Sequence, residues 1–405
     1  MTAAAALPQA APRPVLRISP GRDKRAKHGH PWVFSNEIVM DAAAKSLPPG
    51  GIVALHSAAG QGIGTAMFNP RTLVAARVLD RDPSAVIDAD FIAARLQRAL
   101  TLRARLFDGA YYRLIHAEAD GLPGLIVDRY GDVAAVQVNT AGMELLTPQL
   151  LEALDRVLQP SAIVLRNDGA MRALEGLGQE VRAAKGKVEG PVKIVENAVV
   201  FYADVMGGQK TGWFFDQRGN RAFMAALCRG GARVLDLYSH TGGFAIQAAM
   251  AGAGQVDAVD RSEPALALAE RAAHENGCAG RCTFTRAEVF GWAEKRGAAG
   301  ERYDVVIADP PAFVKSKKDV QAGARGYRKL ARLAAKLTAP GGVMFIASCS
   351  HNMEAEAFAE QVRRGLDDAG RGGRIIRAAG AGPDHPVHPH LPESAYLKAL
   401  VIALD

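Results

Sequence analysis

Val234-Leu235-Asp236-Leu237-Tyr238-Ser239-His240-Thr241-Gly242-Gly243-Phe244 reads as an apolar strand, a glycine-bearing turn and the start of a helix through the alanine-rich residues 244–251. Working outward, the same alternation returns. Val256-Asp257-Ala258-Val259-Asp260 precedes a helix capped by Ser262 and stopped at Asn276-Gly277. Tyr303 to Ala308, a helix near 323–337, the punctuation Pro340-Gly341-Gly342 and Val343 to Ala347 continue it. Strand–helix alternation predicts an α/β, doubly wound parallel sheet covered on both faces, with ligands at the carboxyl ends of its strands.

The turn after the first strand lacks the Gly-x-Gly-x-x-Gly spacing that cradles a pyrophosphate, which disfavours a dinucleotide. Gly242 and Gly243 permit a tight turn and close approach to a ligand. Asp236 sets a carboxylate at one strand end, suited to an ammonium group. Asp260 ends the next strand, where an acid accepts bonds from ribose hydroxyls. An adenosine carrying an amino acid satisfies both, and S-adenosylmethionine is that molecule. The structural alternative is that both acids merely cap helices.

Two segments then bear on the chemistry. Asp309-Pro310-Pro311-Ala312-Phe313 ends the fourth strand, where the prolines make a rigid wall for a flat base. Phe313 is expected to stack on that base, and Asp309 to bond its N3 and exocyclic amine. Enzymes that methylate purine amines use similar turns. Cys349, in Phe345-Ile346-Ala347-Ser348-Cys349-Ser350, separates the cases. An exocyclic amine needs no thiol, whereas C5 of a pyrimidine is weakly nucleophilic until a nucleophile adds at C6. The competing reading is a cysteine that packs as a small hydrophobe.

At 405 residues two or three domains are expected. No apolar run approaches the roughly 18 residues of a membrane span, and Met1 to Pro14 read as a frayed tail without the basic start of a secretory signal. Four cysteines make no disulfide framework, so cytoplasmic residence is the default. Cys278 and Cys282 lack a second pair at zinc spacing, and the prolines between His385, His388 and His390 indicate a loop; no metal is expected. A net charge of +7 favours a polyanion. Basic residues gather at Arg17, Arg22, Lys24, Arg25 and Lys27, and again from Lys315 to Lys329. Residues 14–80 read as short strands punctuated by Gly60-Gln61-Gly62-Ile63-Gly64, followed by a helix from Asp90 to Phe107. Strand, strand, helix and strand then form an α+β unit ending near 190. Asp216 is read as a helix N-cap, and His116 is given no role.

His30-Pro31-Trp32-Val33-Phe34-Ser35, Asp120-Gly121-Leu122-Pro123-Gly124-Leu125, Gln209-Lys210-Thr211-Gly212, Phe215-Asp216-Gln217-Arg218, Asp309-Pro310-Pro311, Ser348-Cys349-Ser350 and Asp384-His385-Pro386-Val387 join the opening turn in a consistent order. Together they resemble the bacterial large-subunit (23S) ribosomal RNA cytosine-C5 methyltransferases that carry an N-terminal PUA domain, from about residue 14 onward. The resemblance implies a tail over 1–13, a PUA RNA-binding barrel over 14–82, an α+β middle domain over 83–190 and a class I (Rossmann-like) methyltransferase domain over 191–405. It implies Cys349 as nucleophile and Asp309 as the base-orienting acid. Gln217, Asp236, Tyr238, Thr241, Gly242, Gly243, Asp260 and Glu288 would surround S-adenosylmethionine. Pro310, Pro311, Phe313, Lys315, Arg22, Lys24 and Arg25 would meet ribosomal RNA. Glu288 stands where the family usually has Asp, His240 where Tyr is common, and Ala312 near where related enzymes add a second cysteine. Members often pair as homodimers, but no interface is derivable from this sequence. Two other functions remain open: a guanine- or adenine-amine methyltransferase, for which Cys349 is dispensable, and an RNA-binding assembly factor with little turnover.

Overall fold

The computed structural model describes residues 13–405. The expected tail lies outside the described residues except at its end, where the structure departs from the expectation. Arg13 bonds Thr65 Oγ1 at 2.8 Å and Ala85 O at 2.9 Å, and Ala54 N donates to Pro14 O. Residues 13 and 14 are thus part of the first module.

That module is a five-stranded sheet in the order Val15–Arg17, Gly51–His56, Gly62–Phe68, Val74–Asp80, Trp32–Phe34, closed over its own apolar core. Gly62 and Gly64, expected as punctuation, lie inside a strand. A Cβ at Gly64 would fall 2.2 Å from Asp80 O, so the glycine permits close backbone approach. Helix Ala89–Leu106, capped by Asp88 through Phe91 N at 2.9 Å, leads into a second five-stranded sheet. Its order is Glu180–Lys185, Ala162–Asn167, Val133–Val138, Leu125–Tyr130, Tyr111–His116. The two outer strands carry mixed polar sequence and escape periodicity.

One face of this second sheet packs on its own helices, while Tyr130, Val133, Ala135 and Val164 on the other face join the core of the C-terminal part. Asp128, fully buried, accepts from Nε and Nη2 of Arg113 at 2.8 and 2.9 Å and from the Thr211 hydroxyl at 2.6 Å. The hairpin Val192–Glu196/Val199–Ala203 turns through Asn197 and Ala198, both left-handed.

The C-terminal sheet has seven strands, ordered Cys282–Arg286, Gln255–Asp260, Arg233–Leu237, Tyr303–Ala308, Thr338–Ser348, Lys398–Leu404, Gly373–Ala379. The first five are parallel, but Lys398–Leu404 runs antiparallel to both neighbours. The sheet is therefore mixed rather than purely parallel, because its last two strands form a return pair rather than another strand–helix–strand crossover. Alternate residues divide cleanly between its faces. Val234, Ile307, Phe345 and Ala347 join one core, while Leu235, Val306, Met344 and Ile346 join the other. The chain order reverses between Arg233–Leu237 and Tyr303–Ala308, which opens a crevice at the carboxyl ends of those strands.

Candidate active site

Everything predicted from the three strand ends converges on that crevice. After Leu237 the chain passes through two left-handed non-glycine residues, Tyr238 (φ 63°) and His240 (φ 50°), then Gly242 (φ 78°) and helix Gly243–Met250. The glycines serve packing here. A Cβ on Gly242 would lie 2.9 Å from Ala269 Cβ, and one on Gly243 would lie 3.0 Å from Arg221 Cδ and 3.2 Å from Trp213.

Asp236, 1% exposed, accepts from Ala245 N through Oδ2 at 3.0 Å, capping the helix. Its Oδ1 has no partner among the described residues, and neither do Ser239 Oγ or Gln217 Nε2. Capping thus occupies one oxygen of this carboxylate and leaves the other free. Two acceptor-capable oxygens and an amide donor, buried and unpaired about one turn, match the ammonium and carboxylate of an amino acid. Asp260 receives His240 N at 3.0 Å and Ser262 N at 2.8 Å, one on each oxygen, leaving further lone pairs for hydroxyls. This donor set fits S-adenosylmethionine. Glu288 differs: it is exposed and caps helix Val289–Ala298 through Phe290 N and Gly291 N. Thr241 is buried, and its hydroxyl lies 3.3 Å from His240 Nδ1. Burial lowers the His240 imidazole to about 4, so it is neutral.

Burial pushes the Asp236 carboxyl up to about 7. Below about pH 4 it is neutral whether folded or unfolded; between about pH 4 and 7 the unfolded chain releases this proton while the folded chain keeps it, so stability falls across that window and levels off above 7. Asp236→Asn is expected to melt higher than the parent at pH 8, by about 2 kcal/mol of stability, with the difference gone near pH 4. Affinity for S-adenosylhomocysteine should fall about ten- to a hundredfold. Thermal melts and titration calorimetry check this pair; equal melting at both pH values would refute it.

Cys349 follows the fifth strand, and its thiol lies 3.9 Å from Pro310 O. The flanking serines face the other way, as strand alternation requires. Ser348 Oγ and Ser350 Oγ each lie 2.8 Å from Tyr327 OH, and Val314 N donates to Ser350 Oγ at 3.1 Å. Tyr327, fully buried on helix Val320–Leu337, thereby pins the cysteine turn to the proline turn. Sequence reading missed it, since one tyrosine in an amphipathic helix looks like core.

Burial pushes the Cys349 thiol up to about 11; Lys210 pulls it down, while Asp309 and Asp216 push it further up. Asp309 rises to about 7 by burial, then by Asp216, against Arg221, the neighbouring Gln217 amide and Lys210. Phe313 is set in the wall between Tyr238, Phe290 and Tyr327, at ring separations of 6.4, 5.9 and 4.8 Å. Pro310 is buried and Pro311 exposed.

Asp216 is not the helix cap the sequence suggested. It is 6% exposed and makes no cap bond; Oδ2 accepts Tyr396 OH at 2.5 Å. His116 is likewise not isolated. Its ring lies 5.1 Å from that of His385, which bonds Asp384 at 2.9 Å. Burial, then Arg113, lowers His116 to about 2. Among the described residues no cluster of His, Cys, Asp or Glu is placed to hold a metal.

Of the basic residues, Lys315, Lys317, Lys318 and Arg325 are exposed without an ion pair among the described residues, whereas Arg328 and Lys329 are paired with Asp368 and Glu294. In the first module Arg22 and Lys24 are exposed, while Arg25 bonds Glu37 at 3.3 Å and lies over Phe34. No described helix is long and apolar enough to cross a membrane.

A PUA-like module ahead of a Rossmann-like sheet, with an amino-acid-accepting turn at its switch point, defines a S-adenosylmethionine-dependent methyltransferase. Residues 182–401 match that family and residues 16–81 match the PUA-like domain. The chain belongs, more narrowly, to the family of ribosomal RNA large subunit methyltransferase I. It is 37% identical to the Cronobacter sakazakii protein of that name over 95% of this chain and 97% of the other. The Shewanella denitrificans protein is 35% identical, over 95% and 98%. A putative S-adenosylmethionine-dependent methyltransferase from Streptococcus mutans shares the fold with a TM-score of 0.80 at 21% identity, covering 96% of this chain and all of that one. A putative methyltransferase complexed with S-adenosylhomocysteine gives 0.82 at 22%, with the same coverage.

Proposed function

We propose that this protein methylates C5 of a cytosine in 23S ribosomal RNA in the cytoplasm, with Cys349 as the nucleophile. The observation that carries the reading is the thiol turned into the crevice, 3.9 Å from Pro310 O, with Asp309, whose carboxyl is pushed up to about 7 by burial, on the same proline turn. The names of the relatives support ribosomal RNA as substrate, and the exposed lysines at 315, 317 and 318 supply phosphate contacts at the mouth of the site.

Asp236, Ser239, Gln217 and Asp260 would hold S-adenosylmethionine, which when bound supplies an electrophilic methyl group. The rest falls to the side chains. Burial keeps most of the Cys349 thiol protonated, and Lys210 enlarges the thiolate fraction formed when the sulfur's proton passes to solvent. The thiolate adds to C6 while neutral Asp309 donates a proton to N3, and C5 becomes an enamine carbon able to accept the methyl group. Loss of the C5 proton to solvent water then re-forms the C5–C6 double bond and expels the thiolate, and the N3 proton returns to Asp309. A purine-amine transfer would leave this thiol idle.

The test is incubation with S-adenosylmethionine and unmodified 23S ribosomal RNA, digestion to nucleosides and mass spectrometry. 5-Methylcytidine is expected, and a methylated purine would refute the reading. Lys210→Met should slow the reaction about tenfold at pH 7. It should also displace the thiol-controlled limb of the pH–rate profile upward by about one unit. Lys210→Arg should restore most of the rate; an unmoved profile would remove Lys210 from the thiolate's surroundings.

A further inference from the structure

Asp216 is a buried carboxylate of the crevice that neither the cofactor fit nor the proposed chemistry employs. Its Oδ2 is fixed by Tyr396 OH at 2.5 Å. The Tyr396 ring stacks on His351 at 5.1 Å, two residues beyond Cys349. On its other side the next residue, Gln217, has its amide beside Asp309. Asp216 is therefore bracketed by the two groups assigned to the target base. Its Oδ1 is buried and has no hydrogen-bond partner among the described residues, a costly state for a carboxylate in a site with no further use for it.

The two carboxylates differ in kind. Burial pushes Asp216 up, but His385, Lys210, the Tyr396 hydroxyl and Arg113 outweigh it and hold the group below the ordinary range. Asp309, facing that charge, is raised. One is thus an acceptor and the other, near neutrality, can donate. Paired groups pushed apart in this way take opposite roles.

Cytosine presents an amino donor at N4 beside an acceptor at N3. Uracil presents the reverse, a carbonyl at O4 beside an N3 donor. An acceptor beside a donor fits the first edge and opposes the second, lone pair to lone pair.

We infer that Asp216 is the specificity residue of this site, its free Oδ1 accepting from the N4 amino group of the target cytosine while Asp309 engages N3. The inference rests on the cytosine reading above and gives it a second carboxylate. Tyr396 is the positioning residue that orients Asp216.

The experiment compares two transcripts of 23S ribosomal RNA, one with the mapped target cytosine and one with uridine in its place. Wild type is assayed first; if it forms no 5-methylcytidine, the cytosine reading itself falls. Asp216→Asn keeps size and an acceptor for Tyr396 but can turn an amide donor toward the base. The ratio of kcat/KM for cytosine over uridine should drop about ten- to a hundredfold, with affinity for S-adenosylhomocysteine unchanged within twofold. An unchanged ratio would overturn the inference. So would a loss of S-adenosylhomocysteine affinity with both transcripts slowed alike, which would make Asp216 a cofactor ligand. Tyr396→Phe, which keeps the carboxylate and releases its anchored oxygen, is the second variant should Asp216→Asn fail to fold. It should lower the same ratio without touching S-adenosylhomocysteine affinity, and an unaltered ratio would count equally against the inference.

Discussion

Cys349→Ala is expected to reduce 5-methylcytidine formation by about 10⁴-fold or more while leaving S-adenosylhomocysteine affinity unchanged. C5 of cytosine accepts an electrophile only after addition at C6, and no other side chain in the crevice offers a comparable nucleophile. The structural cost should be small. The side chain is half-buried, and its deletion leaves intact the Ser348–Tyr327–Ser350 bonds that shape the turn. About 1 kcal/mol of stability is the expected loss, so melting temperature and cofactor affinity separate a dead nucleophile from a damaged fold. Product from the alanine variant at more than a hundredth of the parental rate would end the thiol mechanism.

Glu196→Ala should be the most destabilising single change outside the hydrophobic cores. Glu196, 1% exposed, receives Arg221 Nε at 2.6 Å and a second Arg221 nitrogen at 2.9 Å, with Trp213 Nε1 at 3.0 Å and Gln247 Nε2 at 3.1 Å. Removing it leaves a buried guanidinium, an indole N–H and an amide without their acceptor, which costs about 3–5 kcal/mol. For a chain of 405 residues that unfolds as a unit this corresponds to roughly 4–6 °C in melting temperature. Because Arg221 and Trp213 are the groups against which Gly243 packs, cofactor affinity should fall in the same variant. A melting temperature within a degree of the parent would show that the cluster is not the buried hub its distances imply.

Those two residues were unequally legible. Cys349 could be placed at a strand end because its apolar neighbours form that strand. Glu196 stands in Val192-Lys193-Ile194-Val195-Glu196, a mixed strand whose last residue looks solvent-facing until Arg221, Trp213 and Gln247 arrive from elsewhere in the chain. Asp216 was misread for a similar reason. Local spacing made it a helix cap, whereas its partner, Tyr396, is 180 residues away. The strand-end acids Asp236, Asp260 and Asp309 were legible because the strand–helix alternation fixes where strand ends meet. The direction of the antiparallel strand Lys398–Leu404 could not be read, because nothing in seven residues states it. Gly373–Ala379, with exposed Ile375 and Ile376, lacks the alternation that would have announced it.

The middle sheet contributes its second face to the catalytic core, and the N-terminal module is tied to that sheet just as closely. Trp32 Nε1 donates to Glu118 at 2.7 Å, Asn69 to Glu175 at 2.9 Å, and Met67 packs in the middle domain's core. These contacts set the first module against the sheet that backs the thiol. For the reaction proposed above the molecule is then a caliper whose jaws are held apart by packed side chains: the movement falls to the nucleic acid, which would unstack its base to reach Cys349.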